Sequence, residues 1–267
     1  RSTPLYSSAA SDVYKRQVEA GVNSIAICFL FSFLYPAHER RARDIVATEF
    51  PAIKISISSD IDPTFREYER TAVTAFDAYV KPVVDDYLER LQQELKDVGM
   101  ANEPKIMQSR GGQSGVSIAR QKPVRLFLSG PAAGVVGAAT VGEALSEKNL
   151  ISVDIGGTSS DSALIQDARP KLHSEGKIEG YPGRGNMVDG NSIGAGGGSL
   201  VWFDPAGGLR VGPGSAGARP GPACYGLGGL EPAVTAAYMV LGRLRPGPYA
   251  GGSVTLDDAL ARKAVLD

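Results

Sequence analysis

"ISVDIGGTSSDSALI", residues 151–165, joins two apolar runs through a very short connection. The first run reaches Asp154, the chain breaks into Gly156-Gly157-Thr158, and Ser159, Ser160 and Asp161 lead into the second. Short apolar runs bounded by turn residues read as two buried strands with a hairpin between them. Glycines let consecutive N–H groups point into one concavity, which suits a phosphate, and Thr158 adds a hydroxyl donor. Asp154 would repel a bare phosphate, so its place at the strand end suits orienting the waters of a Mg2+ that accompanies a nucleotide. Asp161 is a second candidate for that work. An ordinary Gly-Gly hairpin with a charged entrance fits the same residues.

Just upstream, Ser129 can cap a helix, Pro131 falls near its first position, and Ala132, Ala133, Gly134, Gly137 and Ala138 leave an almost bare surface. That surface suits tight helix packing or an anion at the helix N-terminus equally well. Further back, "SIAICFLFSFLY" (24–35) reads as a buried strand, Pro36 opens a helix, and "AIKISIS" (52–58) alternates as a strand. A long helical region follows from Asp62-Pro63 to about Val98, with Pro82 expected to kink it and Gly99 to stop it. "KIMQS" (105–109) reads as a strand and "PVRLFLS" (123–129) as extended chain. Residues 176–252 gather most of the 33 glycines and read as a loop-built surface, with Trp202 and Phe203 in a short strand-like run. "EPAVTAAYMVLGRL" (231–244) has a helix-compatible pattern.

A length of 267 residues with 43% hydrophobic composition supports a real core in one large or two ordinary domains. A net charge of -1 with interspersed signs offers no basic stripe for nucleic acid, so a small-molecule partner is expected. Cys28 and Cys224 lie far apart without Cys-x-x-Cys spacing, which suits a reducing cytoplasm. The run at 24–35 is well short of the roughly 20 residues that span a bilayer, so no membrane partner is expected. Residues 1–17 carry neither helix nor strand pattern and no signal-peptide core; they read as a non-native artefact or a linker.

Competing chemistries lack their partners. The only Gly-Lys pair, Gly176-Lys177, precedes Ile178, so there is no Walker A loop. "GAGGGS" (194–199) misses the dinucleotide fingerprint by ending in Ser199. Gly190-Asn191-Ser192-Ile193-Gly194 matches a nucleophile elbow, yet that motif needs a later histidine, and His38 and His173 both precede it. Cys224 has no histidine partner in view and reads as a buried structural thiol.

Taken together, "MQSRGG" (107–112), "LSGPAAGVVGA" (128–138), "DIGGTSSD" (154–161), "SIGAGGGSL" (192–200), "VGPGSAGARPGPACYG" (211–226) and "PAVTAAYMVLGRL" (232–244) resemble, in the same order, the hydantoinase A/5-oxoprolinase family. "FSFLYPAHE" and "EYERT" upstream match as well, and the likeness runs from Val18 to the C-terminus. The resemblance implies an α/β actin-like ATPase fold of the sugar kinase/Hsp70 type, here incomplete, with a Gly-rich loop region. It implies a partial first lobe over residues 18–128 and a second lobe over 129–267. Family members hydrolyse cyclic amides such as hydantoins or 5-oxoproline at the expense of ATP, by phosphorylating the amide oxygen. Related acetone and acetophenone carboxylases use the same kind of subunit. By this likeness Asp154 and Asp161 stand near Mg2+ as catalytic residues, with Asp154 on the metal. Gly156, Gly157, Thr158 and Ser159 meet phosphate oxygens, and Gly196, Gly197 and Gly198 form a nucleotide-side loop.

The resemblance also implies a B-type hydantoinase subunit or a second copy as partner. The family's first Asp-x-Gly-Gly-Thr hairpin is absent, so the chain reads as the middle of a longer subunit. The family's "VTDAN" is here Val234-Thr235-Ala236-Ala237-Tyr238, and Arg110 and Arg219 stand where the family has other residues. A ketone carboxylase subunit and a non-catalytic nucleotide-binding module are the alternative readings.

Overall fold

The computed structural model describes residues 20–178 and 181–266, without the side chains of 174–178 and 181–186. The expectation for residues 1–17 lies outside the described residues.

Strand β1 (Ser24–Ile27), helix α1 (Ala37–Glu49) and strand β2 (Lys54–Ile57) form a unit in which the two strands pair in parallel, Ile25 opposite Ile55 and Ile27 opposite Ile57. Ile25, Ile27 and Ile57 bury their side chains together with Val46 of α1. Parallel strands need such a crossover, and the apolar alternation of both supplies its core.

The run 24–35 is not one buried strand. β1 stops at Ile27, Phe31 takes a positive φ of 58°, and Leu30, Phe31 and Leu34 are exposed. The segment is pinned by buried charge. Glu39 is fully buried and accepts the N–H of Phe29 at 2.7 Å, the N–H of Ser59 at 2.8 Å and the Ser58 hydroxyl at 2.6 Å. Burial pushes the Glu39 carboxyl up, but these hydrogen bonds, led by Ser58, outweigh it and hold it below the usual glutamate value. Arg70, equally buried, donates to the carbonyls of Phe29 at 2.9 Å and Thr64 at 2.6 Å and stands over the Phe33 ring.

After a single turn, α2 (Ser58–Ile61), the chain enters the long helix α3 (Glu67–Asp97), which carries Pro82 inside it. Gly99, with φ 87°, follows its end. Strands β3 (Lys105–Met107) and β4 (Gln113–Gly115) make a hairpin, and α4 (Val116–Gln121) packs Val116 and Ala119 on Leu88 of α3. "PVRLFLS" is not extended, because Pro123–Leu126 forms a 3-10 turn. Pro123 fixes φ at its first position, and the buried Asp77 carboxylate accepts the Val124 N–H at 3.1 Å.

Helix α5 (Ser129–Ala144) buries Ala132, Val135 and Ala139, in keeping with its packing reading. Strands β5 (Leu150–Ile155) and β6 (Ser160–Gln166) follow as the expected hairpin. The glycine-rich stretch then departs from expectation. β7 (Arg169–Pro170) and β8 (Leu172–Ile178) lead into it, and it contains β9 (Tyr181–Val188), β10 (Gly190–Ile193), β11 (Ser199–Phe203) and β12 (Leu209–Ser215). β11 holds the expected run at Trp202 and Phe203; backbone ladders need no side-chain periodicity, so glycine and proline hid the others from pattern reading. Helix α6 (Val234–Val240), strands β13 (Gly247–Tyr249) and β14 (Val254–Leu256), and helix α7 (Asp258–Leu266) complete the described chain.

Contacts divide the chain into two units. One runs to Val136 and includes Leu172–Val188; the other comprises Gly137–Lys171 and the chain from Asp189 onward. In the second unit, β5, β6 and β10 form an antiparallel sheet in the order β10-β6-β5, with β7 also on β6. β6 buries Ala163 and Ile165, but β5 is not the buried strand its composition suggests. Ile151, Val153 and Ile155, which share one face of β5, are 73%, 65% and 54% exposed, because the described residues leave that face of the sheet open. The core of this unit gathers Cys224, Ala236, Met239, Leu256 and Ala261. Among the described residues no helix is long and apolar enough to cross a membrane.

Candidate phosphate-binding hairpin

The β5–β6 register places Asp154 directly opposite Asp161 and Ile155 opposite Ser160, leaving Gly156–Ser159 as the tip. Gly156 N–H donates to the Ser159 carbonyl at 2.9 Å and closes a turn with Gly157 and Thr158 at its centre. The N–H groups of Gly157, Thr158 and Ser159 donate to nothing among the described residues. Three successive unclaimed donors carry partial positive charge, which favours an anion beside them. Like charges directly opposite on a ladder are destabilising, so the Asp154–Asp161 pair favours a cation beside it. The Ser159 hydroxyl donates to Asp161 at 3.0 Å and holds that carboxylate, which is half-buried while Asp154 is exposed. Among the described residues no three His, Cys, Asp or Glu side chains cluster as metal ligands, so any cation here would keep most of its waters.

The second glycine-rich segment lies against the back of this tip. Gly197 N–H donates to the Gly156 carbonyl at 2.8 Å and Gly198 N–H to the Gly157 carbonyl at 2.6 Å. A Cβ on Gly196 would stand 2.7 Å from Gly156 O, Thr158 N and Ser159 N, and one on Gly198 would stand 2.9 Å from Gly157 O. Only glycine permits two backbones to approach this closely. The structure therefore brings all nine sequence-selected residues together in one unit: Asp154, Asp161, Gly156, Gly157, Thr158, Ser159, Gly196, Gly197 and Gly198. It also divides their work. The amides of Gly197 and Gly198 are committed to the hairpin's own carbonyls, whereas those of Gly157, Thr158 and Ser159 are not.

Sequence reading missed the residues that brace this contact. Ser199 Oγ accepts the Gly196 N–H at 2.8 Å and reaches the Thr158 carbonyl at 3.4 Å. Thr235, at the start of α6, donates both its N–H at 2.8 Å and its hydroxyl at 2.7 Å to the Gly197 carbonyl. The Ser160 hydroxyl donates to the Ala195 carbonyl, and β10 pairs Ser192 with Asp161. The available signal was the hydroxyl next to each glycine run, which pattern reading takes for solvent-facing serine. Ala236 is fully buried in the apolar core. Cys224 is fully buried there too, and burial raises its thiol above the usual value.

The sequence profile of the hydantoinase/oxoprolinase family matches residues 70–267, and the profile of that family's N-terminal region matches residues 2–50. Among curated proteins, the chain is 37% identical to caprolactamase subunit alpha of Pseudomonas jessenii, over 97% of this chain and 36% of that one. It is 36% identical to 5-oxoprolinase 1 of Arabidopsis thaliana, over 91% of this chain and 19% of that protein. The nucleotide-free structure of acetone carboxylase, an enzyme of ATP-dependent acetone carboxylation, superposes with a TM-score of 0.83 at 32% identity, covering 98% of this chain and 37% of the other. The chain thus spans between about a fifth and little more than a third of the length of these relatives.

Proposed function

The chain belongs to the hydantoinase/oxoprolinase family, and from that premise we propose that it carries a phosphate-binding hairpin of an ATP-dependent cyclic amidohydrolase with an actin-like ATPase fold. The observation that carries this reading is the row of unclaimed N–H groups on Gly157, Thr158 and Ser159 at the hairpin tip. A triphosphate end supplies the oxygens such donors accept. Gly196, Gly197 and Gly198 act behind the tip, fixing its shape so that the donors need no rearrangement when phosphate arrives.

The residues fit a magnesium ion as well: Asp154 and Asp161 would hold it through water, and it would neutralise charge on the phosphate oxygens. A ring amide resists water because its nitrogen feeds the carbonyl. When the amide oxygen takes the terminal phosphoryl group, the bond to ADP breaks and the ring carbon becomes open to water. Water adds to that carbon, the ring C–N bond breaks with the nitrogen leaving as a protonated amine, and the acyl phosphate so formed is hydrolysed to carboxylate and phosphate. The names of two relatives, a caprolactamase and a 5-oxoprolinase, support a cyclic amide as substrate. The designation of one as subunit alpha supports a second, B-type subunit as partner.

The test is Mg-ATP binding by titration calorimetry, followed by phosphate release in the whole polypeptide with its partner. Gly157→Ala, whose Cβ meets nothing within 4 Å, is expected to fold normally and lose nucleotide affinity. Release of phosphate should rise with 5-oxoproline, hydantoin or caprolactam. Absence of Mg-ATP binding, or affinity untouched by Gly157→Ala, sinks the hairpin assignment. The likeness to acetone carboxylase favours a second reading, a ketone carboxylase subunit, which would instead show turnover dependent on ketone and bicarbonate together.

A further inference from the structure

A cavity of about 790 Å³ opens in the first unit beside β2, within the range of small-molecule sites. Five cations line it, Arg43, Lys54, Lys81, Arg120 and Lys122, against two carboxylates, Asp60 and Asp85. The carboxylates are already shared. Asp85 accepts from Lys54 on one oxygen and Arg120 on the other, and Arg43 and Arg40 stand 3.6 and 3.8 Å from Asp60. Lys81 is answered by Asp77 at 3.2 Å, and Asp77 also takes the Ser56 hydroxyl and the Val124 N–H.

Lys122 is different. Its ammonium donates to the Asp60 backbone carbonyl, and among the described residues no carboxylate lies within ion-pair distance. Burial, and then the Arg125 guanidinium, hold that ammonium below the usual lysine value. A partly buried cation whose hydrogen-bond partner is a carbonyl, with Asp60 and Asp77 near it but outside ion-pair distance, leaves donors that an entering anion would satisfy. Ile55, Ile57 and Ile61 line the same cavity and offer an apolar contact.

We propose that this cavity binds a small organic anion, its phosphate or carboxylate head held by Lys122 with Lys81 beside it and its apolar body against the isoleucines. The site is separate in residues and in charge logic from the hairpin, which offers backbone N–H groups, and it goes beyond the proposed function. Calorimetry of the 267-residue chain with phenyl phosphate, benzoate and inorganic phosphate tests it. One organic probe should bind with unit stoichiometry, more tightly than inorganic phosphate, and remain bound in saturating Mg-ATP. The tighter of the two organic probes identifies the head. Lys122→Met should weaken binding at least tenfold and Lys122→Arg restore part of it. Arg43→Met, at a side chain 38% exposed, should weaken binding severalfold without loss of folding, and carries the test if Lys122→Met does not fold. Silence with both organic probes, displacement by Mg-ATP, or indifference to the substitutions overturns the proposal. Failure of Mg-ATP itself to bind would remove the hairpin reading and leave this titration standing.

Discussion

Gly196→Ala tests whether the glycine loop is a backbone-to-backbone support. The new Cβ would lie 2.7 Å from three backbone atoms of the tip, Gly156 O, Thr158 N and Ser159 N, where ordinary contact begins at 3.4 Å. The two segments must separate by roughly 0.7 Å, which stretches the Gly197–Gly156 and Gly198–Gly157 hydrogen bonds to about 3.3–3.5 Å, beyond the useful range. Overpacking costs about 1–3 kcal/mol and each lost hydrogen bond about 0.5–1.5 kcal/mol, and the two overlap because the same movement causes both. A loss of about 2–4 kcal/mol is expected. Trp202, the sole tryptophan, reports it: it lies on β11, which starts at Ser199, and its indole N–H donates to the Gly212 carbonyl at 2.8 Å. Urea unfolding followed by its fluorescence should show a clearly lowered midpoint for Gly196→Ala. Gly157→Ala, in open space, should stay within about 0.5 kcal/mol of the parent. Equal midpoints for all three chains would refute the support role.

Asp85→Asn removes the carboxylate that answers both Lys54 and Arg120; because those cations are 39% and 28% exposed, we expect a loss of about 1–3 kcal/mol in urea unfolding, below the figure for a fully buried pair. Asp85, chiefly through Arg120, and Glu39, through hydrogen bonds that outweigh its burial, are both held below the usual carboxylate values. Their stabilisation is complete above the unfolded values near pH 4 and is lost as pH falls through the folded ones. The urea midpoint should therefore fall steeply only below about pH 4, and Glu39→Gln should flatten that limb; an unchanged acid limb would contradict the assignment. Burial raises the thiols of Cys28 and Cys224, so a disulfide reagent at pH 8 should react far faster after unfolding than before, and fastest-phase labelling of Cys224 in the native chain would be inconsistent with its core position.

Local chemistry was legible wherever one side-chain pattern controlled one element. The β5–β6 hairpin, the α1 and α3 helices, the stop at Gly99 and the buried Cys224 all follow from apolar spacing, proline and glycine placement. Pattern reading failed where distant residues decided the backbone. The run 24–35 is apolar enough for a strand, yet Glu39 and Arg70 capture the Phe29 peptide and turn the chain outward. Asp77, in the middle of α3, likewise draws Val124 into a 3-10 turn.

The amino-acid order by itself determined the family and the hairpin and nominated the nine candidate residues, because glycine runs and paired aspartates are short-range signals. Only the tertiary structure decided what those glycines do. Two glycine segments some forty residues apart are alike as strings. Folding sets one against the other, so that Gly197 and Gly198 spend their N–H groups on the tip while no described residue accepts those of Gly157, Thr158 and Ser159. Hydrogen-bond partners are a property of position in space, and no local spacing records which donors a distant backbone will claim.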